Sequence, residues 1–161
     1  MCFLRPKLPH PEEPADYTRT LDNVDLEDVL NKWIVDWGVP GEYADYWKSA
    51  IVIKLTLEIY VPAQTWELDG VRHLDVRPEH CTPGVIAHEQ SHNSYSLLTD
   101  AEKVNFASAY HAIKSTDKLI KLLYSINKYG LTSTVEGHAE IYRFLGRQMP
   151  PVLKKYYPKL F

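Results

Sequence analysis

The stretch Val85-Ile86-Ala87-His88-Glu89-Gln90-Ser91-His92-Asn93-Ser94 decides how the rest of the chain is read. Thr82 and Pro83 precede it as an N-cap and a proline at the first helical position, so the spacing predicts a helix through the stretch. Residues four apart on a helix lie on one face, offset by about 40°. His88 and His92 can therefore reach a single ion, and zinc favours imidazole nitrogen in tetrahedral geometry. Glu89 points to the side of that face, where it can hold and deprotonate a water at the ion. Val85, Ile86 and Ala87 are apolar, so this helix is partly buried, and buried histidines need partners. One turn of helix thus offers both a metal anchor and a general base.

A catalytic zinc takes a third protein ligand and keeps one open position. A further histidine just beyond the motif is excluded, because Tyr95 and Leu98 stand there. The later stretch Val135-Glu136-Gly137-His138-Ala139-Glu140 offers three candidates. On a helix Glu136, Ala139 and Glu140 share one face while His138 points elsewhere. The small Ala139 would let this helix approach the metal helix closely. Glu136 is the expected third ligand. Glu140 is the expected acceptor for the N–H of a ligand histidine, the bland alternative being an exposed helix carboxylate. Hydrolysis of an amide also needs a donor for the oxyanion. Tyr129 lies just before this helix, but spacing alone does not single it out among the eleven tyrosines of the chain.

The order His88-Glu89-Gln90-Ser91-His92, a long helical insertion, then Lys128-Tyr129-Gly130 and Glu136-Gly137-His138-Ala139-Glu140 resembles the catalytic domain of anthrax lethal factor and the clostridial secreted Pro-Pro endopeptidases. The closing Met149-Pro150-Pro151 to Phe161 segment is similar to that family's C-terminal helix, so the resemblance covers about residues 71–161. It implies a zincin-like metallopeptidase with one zinc ion on His88, His92 and Glu136, Glu89 as the base, and Tyr129 as the oxyanion-stabilising phenol. It also implies a small sheet packed on helices. Gln90 and Ser91 replace the family's usual apolar-glycine pair, so substrate preference does not transfer.

Outward from the motif, Pro6, Pro9, Pro11 and Pro14 make residues 1–24 an extended arm, free to pack on the domain, hang loose or occupy the cleft. Asp25 caps a helix with apolar positions Leu26, Val29, Leu30, Trp33, Ile34 and Trp37, ended by Gly38 and Pro40. A short helix over 42–50 follows. Residues 50–62 alternate as a half-buried strand. Asp69-Gly70 between two strand-like runs signals a hairpin. Beyond the metal helix, Thr99 and Glu102 form a capping box for a helix broken near Ser115-Thr116. The fold class expected is α+β: a small, mostly antiparallel sheet packed against a helical C-terminal half, with 25–161 as a single domain.

Composition agrees. The 161 residues are 45% hydrophobic and 24% charged, with a net charge of −3 that gives no case for nucleic acid or an anionic membrane. Two cysteines, Cys2 and Cys81, imply no disulfide framework. Neither an apolar membrane span nor a leader is apparent, so the cell interior is the default location, with secretion the alternative that the resemblance raises. The expected activity is that of a zinc-dependent endopeptidase acting, as a monomer, on a peptide or protein substrate. The alternatives are a zinc-bearing scaffold without turnover and a regulatory protease of one cytoplasmic protein. An extended peptide could pair with the strand over Val71–Val76. His111 reads as a helix-surface residue, His73 and His80 as loop residues with an outside claim on the cleft, Cys81 as a small buried apolar residue, and Trp33, Trp37, Trp47 and Trp66 as packing.

Overall fold

A hairpin and two helices organise the N-terminal half. The computed structural model describes residues 6–128 and 133–161. Helix α1 spans Leu26–Trp37; the Asp25 side chain accepts from the Asp28 amide at its start, and Gly38 at φ 69° closes it. Helix α2 spans Gly41–Ser49. Strands β1 (Ile51–Leu55), β2 (Ala63–Leu68) and β3 (Val71–Val76) form one sheet in the order β1-β3-β2. The β2–β3 hairpin turns on Asp69 and Gly70 at φ 52° and 78°, the positive pair of a type I′ turn that matches strand twist.

The sheet is mixed: β2 runs antiparallel to β3, whereas β1 runs parallel to it. The expected strand over 50–62 stops at Leu55. There the Thr56 hydroxyl accepts from the Glu58 amide at 3.1 Å, turning the chain out of the ladder. The Arg77 guanidinium then holds the carbonyls of Leu57 (3.1 Å) and Ile59 (2.8 Å), carrying residues 56–62 across the sheet so that β2 lands on the far side of β3. This placement corrects one expectation. Val71–Val76 is the central strand with both edges occupied, so an added peptide cannot pair with it; β2 is the edge beside the cleft.

The C-terminal half supplies α3 (Pro83–Tyr95), α4 (Asp100–Lys114), α5 (Lys118–Ile126), α6 (Thr134–Leu145) and the single turn α7 (Pro151–Lys154). The Thr99–Glu102 box closes on α4 in both directions, and Asp117 caps α5 after the break. The core gathers Trp33, Trp47, Leu74, Ile86, Phe106 and Tyr142, all fully buried. Burying an indole leaves its N–H in need of an acceptor. Trp33 donates to the Tyr142 hydroxyl at 3.2 Å, Trp37 to the Tyr142 carbonyl at 3.1 Å and Trp47 to the Lys159 carbonyl at 2.8 Å. These bonds clamp α1 and α2 onto α6 and the C-terminal segment. Trp66 departs from the packing role: it sits on the outer face of the sheet, stacked on His73 at 3.9 Å.

The Pro-rich arm packs on the domain. His10 stacks on Trp37 at 3.8 Å and its amide donates to the Phe144 carbonyl at 3.1 Å. The Asp16 amide donates to the Glu79 carbonyl at 2.9 Å, and the Arg19 guanidinium donates to the Cys81 carbonyl. None of the described arm residues lines the cleft. Among the described residues, no helix is long and apolar enough to cross a membrane.

Candidate metal centre

Helix α3 is held on three sides before it presents any chemistry. Thr82 accepts from the Val85 amide at 3.2 Å, Pro83 stands at the first turn, and Val85, Ile86 and Ala87 are buried as their apolar character predicts. Ser94 on the back donates to the Pro158 carbonyl at 2.6 Å. The face carrying Val85, His88 and His92 is left to open onto a cleft of about 1010 Å³. Edge residues Ala63, Gln64 and Thr65 of β2 form its other wall.

Helix α6 runs antiparallel along α3. Gly84 lies against Arg143, His88 against Glu140, and His92 against Glu136. Close approach is possible because the seam is made of small residues: Ala139 is fully buried, and the Ser91 hydroxyl reaches the His138 carbonyl at 3.3 Å. Ser133 caps α6 by accepting from the Glu136 amide at 3.3 Å.

His88, His92 and Glu136 converge, as expected from the helix faces, into a cluster able to hold a metal ion. The two Nε2 atoms are 3.1 Å apart. The Glu136 carboxylate straddles them, with Oε2 3.2 Å from His88 and Oε1 3.3 Å from His92. A tetrahedral zinc ion with bonds of about 2.0–2.1 Å separates its ligand atoms by about 3.3–3.4 Å, so the triangle is close to one face of that tetrahedron. A second observation fits the same ion. His88 Nδ1 faces Glu140 Oε1 at 3.5 Å, and Nδ1 and Glu140 Oε2 are both buried without a hydrogen-bond partner. An Nδ1–H turned toward Glu140 leaves the Nε2 lone pair aimed at the cluster centre. Donor set and orientation therefore suit zinc, with three protein ligands and a side open to the cleft.

Among the protein groups alone, a proton on the imidazoles balances the carboxylates in the place a dication would take. Burial works to lower His88, but the Glu136 and Glu140 carboxylates outweigh it and push it up to about 9. His88 and His92 hold Glu136 well below the usual carboxylate range. A metal and a proton compete for the same imidazole lone pair, so loading releases that proton. Glu89 is 7% exposed and lines the cleft. Burial raises its pKa, against the lowering influence of His88 and His92.

Behind the ligands lies a layer that helix faces did not reveal. His138 is fully buried between α3 and the C-terminal segment. Its Nε2 lies 2.6 Å from the Tyr156 carbonyl, which can only accept, so Nε2 carries the proton. Nδ1 is then an acceptor, and the Ser91 hydroxyl donates to it at 2.8 Å. Burial pulls His138 down to about 3, keeping it neutral. The ring stacks on Tyr157 at 3.8 Å, and the Tyr157 hydroxyl donates to the His138 carbonyl at 2.8 Å. Gln90 joins a second relay: Arg72 Nε donates to Asn93 (2.9 Å), whose amide donates to Gln90 (2.8 Å), tying β3 to α3. Gln90 and Ser91 are thus interior polar struts, and the signal for them was a polar pair at positions that α3 buries.

The remaining expectations sort simply. His73 and His80 stand outside the cleft lining, and His111 is exposed on α4. Cys81 is buried, which pushes its thiol up to about 11 and makes it inert. Tyr129 lies outside the described residues. Compared with known proteins, the chain matches no family model, no curated protein and no solved structure, so the zincin-type arrangement rests on its own geometry.

Proposed function

We propose that the protein is a zinc-dependent endopeptidase of the His-Glu-x-x-His plus Glu type. The observation that carries this reading is the convergence of His88, His92 and Glu136 to 3.1–3.3 Å beside a buried, cleft-lining Glu89. Bound there, zinc supplies Lewis acidity toward a substrate carbonyl and acidifies water. Glu89 takes a proton from the attacking water and hands it to the leaving amine; burial raises its pKa, which strengthens it as a base. Glu140 accepts the His88 Nδ1 proton and fixes the ring. Tyr129 donates to the oxyanion, a role resting on the family resemblance. The free edge of β2 takes the substrate as an extended strand. Residues 25–161 form one catalytic domain, acting as a monomer on a peptide or protein, with the arm as an external strap.

The test is elemental analysis followed by digestion of a peptide library with and without chelator. Glu89→Ala is expected to keep its zinc and lose about 10²- to 10⁴-fold in turnover, the usual share of a general base. Undiminished turnover in that variant rules the mechanism out. Zinc retention with no cleavage by the unaltered protein leaves a zinc-bearing scaffold instead.

A further inference from the structure

We propose that Arg143 is a specificity residue of the cleft that binds a substrate carboxylate, so that the enzyme selects acid-bearing peptides. This rests on the peptidase reading above and names its substrate class. Glu136, Glu140 and Arg143 fall at i, i+4 and i+7 on one face of α6, so the guanidinium shares the wall that carries the third ligand and lines the same cleft. Its place along that wall is set by the antiparallel register. Arg143 Nε lies 3.6 Å from where a Cβ on Gly84 would stand, one helical turn before His88. That is ordinary van der Waals spacing, so the guanidinium packs beside the first turn of α3.

The other arginines described are committed. Arg19 holds the Cys81 carbonyl, Arg72 holds Asn93, Arg77 holds Glu79 and two carbonyls, and Arg147 holds the Val35 carbonyl. Arg143 is half-buried and its guanidinium lies 5.1 Å over the Phe144 ring, yet among the described residues no hydrogen bond or ion pair engages its N–H groups. A partly desolvated guanidinium is stabilised by an anion, and a carboxylate matches its two parallel N–H donors. Glu89, the carboxylate whose charge it feels, faces the metal site. The charge of the cleft points the same way. Glu89, Glu136 and Glu140 are matched by Arg72, Lys103 and Arg143 before any dication is counted, so the loaded cleft is net positive on a chain of net charge −3. The carboxylate can come from an Asp or Glu side chain or from the C-terminus of the peptide.

Zinc-loaded protein carrying Glu89→Ala, with Arg143 intact or changed to Gln or Lys, is titrated against three short peptide libraries labelled with an uncharged fluorophore. One is neutral with an amidated C-terminus, one adds a single Glu, and one is neutral with a free C-terminus. One of the acid-bearing libraries is expected to bind about 10- to 100-fold tighter than the neutral one, the range of a charge-assisted hydrogen-bond pair. Which library it is identifies the source of the carboxylate. Arg143→Gln abolishes the preference and Arg143→Lys restores part of it, with zinc content unchanged. No preference, or one that survives Arg143→Gln, overturns the inference while leaving the peptidase reading standing. Zinc retention with no binding of any library overturns both.

Discussion

Two helix starts in this chain carry the same local signature and use it differently. At α4, Thr99 accepts from the Glu102 amide (3.2 Å) and the Glu102 carboxylate reaches back to the Thr99 amide (2.8 Å), a reciprocal box. At α6, Ser133 accepts from the Glu136 amide in the same way, but the Glu136 carboxylate turns away to His88 and His92. Both glutamates occupy the third helical position, and both gain from the positive end of the helix. What differs is the neighbour. Glu102 faces solvent, whereas α6 is pressed along α3 with two imidazoles within reach. A capping signature guarantees a helix start; only the packing partner decides whether its glutamate serves as a cap or as a ligand.

The comparison can be broken most severely at the glutamates themselves. Glu136→Gln is expected to leave folded protein that does not retain zinc through dialysis, while Glu102→Gln retains it fully; equal retention in the two would remove Glu136 from the ligand set. The next largest effect is expected behind the site. His138→Ala opens a cavity and strands Ser91 and the Tyr156 carbonyl, at a cost of about 3 kcal/mol in urea unfolding of the metal-free protein. A loss below 1 kcal/mol would show that His138 is not the strut between α3 and the C-terminal segment. Glu140→Gln is expected to weaken zinc about 10- to 100-fold in a competitive chelator titration. An unchanged affinity there would mean that the 3.5 Å pair with His88 does not close when metal binds. Smallest are the caps. Thr99→Ala and Ser133→Ala each lose about 1 kcal/mol of stability, and only Ser133→Ala also lowers zinc affinity, because its helix start positions a ligand. Identical effects on zinc would dissolve the distinction between the two boxes.

Helical spacing alone placed His88, Glu89 and His92, because residues four apart share a face wherever the helix goes, and Thr82-Pro83 marked where it begins. The hairpin at Asp69-Gly70 was equally local, since a type I′ turn demands positive φ at both residues. Glu136 and Glu140 were legible as one face of a second helix, and their meeting with His88 followed once two small-residue seams were allowed to pack. Other features have no local signature. Nothing in residues 50–62 announces that Thr56 ends β1 or that Arg77 carries the chain over the sheet; these are long-range choices, and they made β2 rather than β3 the cleft edge. The burial of His138, the polar struts at Gln90 and Ser91, and an Arg143 guanidinium beside Gly84 with no ion-pair partner depend on which helix lies against which. The sequence by itself determined the elements and the chemistry each can offer, since those depend on neighbours within a few residues. Only the tertiary structure decided which side chains become ligand, strut or free charge, since that depends on desolvation and on partners distant along the chain.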